Sequence, residues 1–222
     1  MINYRFIALS LSVWLLLLTS CKNHIEEDAE HYNWQERNAQ WFAEIYDGAL
    51  AKITEAKTQY PNGNEWQEHC EWRIYKTLMK SQDVQGPATD YIVCKVNPPY
   101  HRDPEEGYAA YTDSILLYYR GWIMDVNYPQ SKDNLTIFSQ SYYDEFDATK
   151  AAPLAMPVTS TVEGFMTAVQ YMVKGDDWMV YIPQELAYKE NASQAIPAYS
   201  TLLYHMRIEK VHKSGTGLSE WR

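Results

Sequence analysis

Between residues 33 and 58 the apolar side chains Phe42, Ile45, Tyr46, Ala49, Leu50 and Ile53 recur three or four positions apart. That spacing predicts an amphipathic helix that must dock against something. TQYPNGN stops it. Residues 66–79 and 90–96 read as two strands separated by the turn-rich SQDVQGPAT, and NPPYHRDPEEGY is a loop before the next strand. Ile115, Leu117 and Tyr119 then alternate with Leu116, Tyr118 and Arg120, which predicts a strand ending at Gly121. MDVNYPQSKDNLT is the one weakly structured insertion. Over residues 162–173, behind a Ser or Thr cap, Phe165, Ala168, Val169 and Met172 fall on one stripe, the pattern of a short helix lying on a sheet. Trp178, Val180 and Ile182 alternate with Met179 and Tyr181 until Pro183. In the last strand Leu202, Tyr204, Met206 and Ile208 share one face, with His205, Arg207 and Glu209 on the other. The fold class is α+β, an antiparallel sheet half covered by a helix.

The length of 222 residues suits one domain with an extension. A net charge of -10 with no basic segment argues against a nucleic-acid partner. The 19 Tyr and 8 Trp suggest stacking on sugars or peptides, yet they are spread along strand-like segments, which reads as core or sheet face. The six histidines show no HExxH spacing and the three cysteines no CxxC spacing, so no metal site is expected. No acid, base and nucleophile converge by spacing.

The start of the chain reads as an address. Arg5 precedes the apolar run FIALSLSVWLLLL, too short for a confident membrane span, and Leu18-Thr19-Ser20-Cys21 resembles a bacterial lipobox. Such a signal implies cleavage of residues 1–20, diacylation of Cys21 and a lipid-anchored protein of the cell envelope. Lys22 in the next position favours the outer membrane, and Glu26-Glu27-Asp28 in the tether 21–32 is similar to surface-export signals of Bacteroidetes lipoproteins, or is a plain charged tether. Cys70 and Cys94 would then lie where disulfides persist, and a bridge between them and two buried free thiols both remain open.

Several motifs in order carry a family resemblance. Tyr-x-Gly, Phe-x-x-Ser, Val-x-Gly-aromatic, Gly-Asp-x-Trp-x-x-Tyr-Ile-Pro-x-x-Leu-Ala-Tyr and Ile-Pro-x-x-Ser-Thr-Leu-x-Tyr together resemble an FKBP-type peptidyl-prolyl cis-trans isomerase. The resemblance covers residues 88–212, leaving 33–87 as an N-terminal helix and strand extension and 213–222 as a tail. It implies an FKBP-like antiparallel sheet of five or six strands wrapped around a short helix, with a proline pocket between them and no cofactor.

The same resemblance assigns the pocket. Tyr119, Phe138, Ser139 and Tyr188 are its catalytic residues, and Thr161, Val162, Phe165, Ala187, Ile196 and Tyr204 contact substrate. Tyr119 and Tyr204 are wall aromatics, Thr161 and Val162 offer backbone to the peptide, Ala187 and Tyr188 close one side, and Tyr188 donates to a substrate carbonyl. Three positions depart from the family: Ser139 stands where an aspartate is usual, Phe165 where a tryptophan floors the pocket, and Lys189 where a glycine follows the Ala-Tyr pair. An alternative register through Phe146 and Asp147 would restore the aspartate but lose the Ser141 match.

This chemistry accounts for the missing triad, because rotation about an X-Pro bond breaks no covalent bond. An apolar pocket that fits the twisted amide better than either planar form suffices. The expected partners are proline-containing polypeptides exported from the cytoplasm, with the membrane held through Cys21. A pocket that binds chains without isomerising them, and glycan binding through surface aromatics, are the readings from other classes.

Overall fold

The computed structural model describes residues 31–98, 107–127 and 135–215. The helix expected at 33–58 is α1, Trp34–Gln59. Its Glu36 in the first turn and Lys57 in the last complement the helix dipole. The stripe it buries is Trp34, Asn38, Phe42, Ala49, Ile53 and Ala56, while Leu50 turns outward at 44% exposure.

Residues 66–79 are not one strand. A single helical turn, α2 (Trp66–His69), precedes β1 (Trp72–Lys76). Arg73 forces the curl: its guanidinium donates to the carbonyls of Gln67 at 2.7 Å and Cys70 at 2.6 Å while lying 5.0 Å over the Trp66 ring. The remaining elements are β2 (Tyr91–Val96), β3 (Ser114–Met124), β4 (Leu135–Gln140), β5 (Leu154–Pro157), α3 (Glu163–Tyr171), β6 (Asp177–Ile182) and β7 (Leu202–His212). The chain divides into Met1–Asn33 and a compact unit Trp34–Arg222, and α1 to β7 all lie in the second.

The seven strands form one antiparallel sheet in the order β1-β2-β6-β7-β3-β4, with β5 also paired to β3. Residues 88–212 supply six of them, as the α+β reading expects, and the extension adds β1 as the seventh. β3 is shared along one edge: its first half pairs with β5 and its second half with β4. β4 and β5 escape the alternation test because both border β3 only, β4 staying half-exposed and β5 mostly exposed.

Side-chain alternation sorts the sheet's two faces. Ile92, Cys94, Trp178, Val180 and Ile182 point into the main core with α3. Val93 and Tyr181, one position out of phase, meet Phe42 and Ala49 of α1 on the opposite face. Each helix therefore covers a different face. α3 is buried nearly all round, from Gly164 to Val169, and a Cβ on Gly164 would stand 2.3 Å from Ile182, so the missing side chain sets how closely helix and strand approach. The expected Ser or Thr cap of α3 is absent. Val162 occupies the cap position, because the Thr161 hydroxyl donates backward to the Val158 carbonyl at 2.9 Å.

The same parity decides the cysteine question. Cys94 is fully buried in the main core, while Cys70 packs with the α1–α2 cluster, and both thiols are free. Burial pushes the Cys94 thiol far up, so it stays protonated and inert. Cys21 and the acidic tether lie outside the described residues, as do parts of the two loops 97–108 and 124–136.

Candidate functional site

A cavity of about 500 Å³ opens between the C-terminal half of the sheet and the N-terminal end of α3. Tyr119, Phe138, Ser139, Thr161, Val162, Phe165, Tyr188, Ile196 and Tyr204 line it together. Ala187 does not. It packs half-buried against the core and serves to turn the chain into Tyr188. Leu154 and Met156 of β5, with Ser160, Ser193 and Ala195, complete the wall. These five were not singled out by sequence, and the short edge strand β5 offers no alternation that would have marked them.

The cavity's centre is Tyr204, which β7 holds 6% exposed. Phe165 meets it edge-on at 5.0 Å and Phe138 edge-on at 5.5 Å, while Tyr119 tilts against it at 6.3 Å. Edge-to-face contacts of this kind hold rings in fixed orientations beyond what simple burial does. Burial first, then the neighbouring Tyr188 and Tyr119 hydroxyls, push the Tyr204 phenol far above its ordinary value. It is a neutral wall residue throughout the physiological range. Phe165, at 3% exposure, forms an apolar floor without an indole donor.

Tyr119 is fixed at both ends. Its backbone N–H donates to Ser141 Oγ at 2.8 Å, and its carbonyl accepts the Ser141 N–H at 2.8 Å. Its phenol shares a 2.8 Å hydrogen bond with Ser139 Oγ. The position where the family has an aspartate is thus a neutral hydroxyl paired with a neutral phenol. Among the described residues no charged side chain lines the cavity.

The alternative register is excluded by placement. Phe146 packs against Tyr118, Tyr142 and His205 on the outer face of β3 and β7, with the Arg207 guanidinium 4.9 Å above its ring. Asp147 caps its own turn through Thr149 and Lys150. That outer face also carries a polar chain in which His205 Nε2 lies 2.8 Å from Asp177 and His205 Nδ1 meets the Tyr142 hydroxyl. It faces away from Tyr204, as expected of successive residues in a strand.

On the open side, Tyr188 follows the turn Gln184–Leu186 and is 39% exposed. Lys189, where the family has glycine, adopts a left-handed φ of 56°. That is a conformation glycine adopts without strain. Opposite, Val162 ends an extended segment at φ -66° and ψ 155° before α3 begins. Among the described residues the cavity therefore combines apolar rings, hydroxyls and a backbone edge, with no cysteine, histidine or carboxylate in its lining and no metal-ligand cluster.

Residues 108–209 match the FKBP-type peptidyl-prolyl cis-trans isomerase family. The FKBP-type 22 kDa peptidyl-prolyl cis-trans isomerase of Escherichia coli (strain K12) is 30% identical over 108 residues, 48% of this chain and 45% of the relative. The peptidyl-prolyl cis-trans isomerase Mip of Coxiella burnetii is 30% identical over 89 residues, 40% of this chain and 36% of the relative. The chain thus spans less than half the length of either. A solved peptidyl-prolyl cis-trans isomerase from Pseudomonas syringae aligns with a TM-score of 0.44 at 16% identity, covering 77% of this chain and 96% of its own.

Proposed function

Because the chain belongs to the FKBP-type peptidyl-prolyl cis-trans isomerase family through residues 108–209, we propose that it catalyses rotation about X-Pro bonds of exported polypeptides. The observation that carries this reading is the convergence of Tyr119, Phe138, Phe165, Tyr188 and Tyr204 on one uncharged cavity. The barrier to be lowered is roughly 18–20 kcal/mol and arises from the partial double bond of the amide. In the twisted state that conjugation is lost and the carbonyl sheds part of its polarity, so an environment poor in water and charge favours it over the planar forms. The prolyl ring packs on Phe165 and against Tyr204, and the phenol of Tyr188 at the rim donates to a peptide carbonyl. The extended backbone at Val162 meets the chain beside the proline.

The Leu18–Cys21 motif supports a lipid anchor at Cys21, which would place this activity in the cell envelope, at the outer membrane. Among the described residues no helix is long and apolar enough to cross a membrane. Replacing Cys21 by Ser should release the protein from membranes, and unchanged attachment would rule out lipidation.

The neutral Tyr119–Ser139 pair favours a second reading, a pocket that holds proline-containing chains with little isomerisation. One assay separates the two. The full chain carrying Cys21→Ser is added to a proline tetrapeptide and cis–trans exchange is followed by NMR, with Tyr188→Phe beside it. Acceleration that falls in Tyr188→Phe supports the enzyme; binding of the peptide at an uncatalysed exchange rate supports the holding module and sinks the isomerase.

A further inference from the structure

Asn38 is fully buried in the interior of α1, a poor place for an amide unless every polar atom is satisfied. Its partners lie in the loop before β7. Asn38 Nδ2 donates to the Trp34 carbonyl at 2.9 Å, its Oδ1 accepts the Thr201 N–H at 2.8 Å, and its own carbonyl accepts Thr201 Oγ1 at 3.2 Å. One turn earlier, the Trp34 indole N–H donates to Ser200 Oγ at 3.0 Å, and that hydroxyl donates on to the Pro197 carbonyl at 2.7 Å. Ser200 and Thr201 are themselves buried.

These contacts end on the cavity. Segment 193–201 supplies Ser193, Ala195 and Ile196 to its wall. Tyr199, held at a left-handed φ of 61°, donates its N–H to the carbonyl of Lys189 at 2.6 Å, and Lys189, at 56°, is the neighbour of Tyr188. Two bulky residues in that conformation persist only where the surroundings over-determine them. The two residues that follow Tyr199, Ser200 and Thr201, are held by α1, which lies wholly outside residues 108–209.

We propose that Asn38 and Trp34 are positioning residues of the proline cavity: through Thr201 and Ser200 they hold the 193–201 wall, and through Tyr199 and Lys189 they set Tyr188. The helix is then a structural part of the site and not an appendage to it. This rests on the isomerase reading, and the test keeps the two apart.

The variants Asn38→Ala and Trp34→Phe are made in the full chain with Cys21→Ser, the second removing the indole N–H together with part of a buried ring. Phe42→Ala is the control, since Phe42 anchors the same helix to Val93 on the far face of the sheet. Amide hydrogen exchange, thermal midpoint and the KM and kcat for a proline tetrapeptide are measured well below each midpoint. Asn38→Ala and Trp34→Phe should raise KM about tenfold and speed exchange at Thr201 and Tyr199 by a similar factor. Phe42→Ala should lower the midpoint but leave KM and those two amides as in the parent. Loss of activity in all three variants in proportion to lost stability overturns the proposal, as does unchanged exchange at Thr201 in Asn38→Ala. A parent chain that does not accelerate isomerisation sinks the functional reading alone; exchange at Thr201 and Tyr199, with tetrapeptide affinity, then still decides the positioning claim.

Discussion

Phe138 occupies the extra position of a β-bulge opposite Gly121, and its ring tip lies 2.7 Å from where a Cβ on that glycine would stand. β3 pairs Gly121 with Ser139 and Trp122 with Ile137, which leaves Phe138 without a cross-strand partner. In a regular strand, Phe138 and Ser139 would point to opposite faces. The bulge lets both enter the cavity, and the bare Gly121 gives Phe138 and Tyr204 room to lie against the backbone.

Gly121→Ala should therefore damage the site directly. The new methyl would stand 2.7 Å from Phe138 and 2.8 Å from Tyr204 Cε1, so both rings must move into the cavity. Overpacking of this kind costs about 1–3 kcal/mol. Urea denaturation should give a lower midpoint, and kcat/KM for a proline peptide should fall further than Tyr119→Phe lowers it. Parent-like peptide kinetics in a destabilised Gly121→Ala would show that ring placement is not critical.

The core faces were legible because strands and helices repeat, whereas the cavity residues came from the family resemblance of the ordered motifs. The alternation through Ile115–Tyr119, Trp178–Ile182 and Leu202–Ile208, and the stripe of Phe165, Ala168 and Val169, mark which residues face the core. What escaped breaks the periodicity. The bulge that brings Phe138 and Ser139 into one cavity has no mark in the sequence, and Arg73 curls residues 66–69 through backbone carbonyls that no sequence pattern displays. Asn38 reads as a polar helix position, and only the tertiary fold brings it to Thr201. Ala187 lies next to a cavity residue without lining the cavity itself, since adjacency along a turn says nothing about direction.

Lys189→Gly should stabilise the protein. At φ 56° the lysine Cβ crowds the following carbonyl, a penalty of about 1–2 kcal/mol that glycine avoids, partly offset by glycine's freedom in the unfolded chain. The expected net gain is about 0.5–1 kcal/mol in the urea midpoint at unchanged m-value. A loss of stability instead would mean that the exposed lysine side chain contributes contacts outweighing its backbone conformation.

Ser139→Asp tests the neutral hydroxyl pair. In the parent, no carboxylate or imidazole among the described residues lines the cavity, so kcat/KM should be flat between about pH 5 and 8. A carboxylate at this position would accept a stronger, charge-assisted hydrogen bond from Tyr119, now 2.8 Å from Ser139 Oγ, and orient that phenol more firmly. Activity should rise above pH 6 and decline toward the parent's as the new acid protonates, roughly between pH 5 and 3. An unchanged rate with a flat profile would mean that the Tyr119 phenol plays no part in turnover.

The acid limb of stability should belong to Asp177 on the opposite face. Burial pushes this carboxyl up, but His205 at 2.8 Å, Asn97 at 2.7 Å and Arg207 at 3.5 Å outweigh burial and leave it below its usual range. A group lowered in the folded state stabilises above its unfolded value of about 3.9 and loses that contribution as pH falls through its folded value. Asp177's contribution should thus be fully present and independent of pH near neutrality and decline below about pH 4. Asp177→Asn keeps the shape and removes the charge, so it should cost about 1.5–3 kcal/mol at pH 7, the range for hydrogen bonds to a charged group, with the difference from the parent narrowing toward pH 3. Urea titrations at several pH values measure both curves. A constant gap between them down to pH 3 would assign the acid limb to another carboxylate, with Asp113 the first to examine: burial pushes its carboxyl up, but the backbone N–H groups of Ala110 and Ser214 and the Lys213 ammonium leave it lowered.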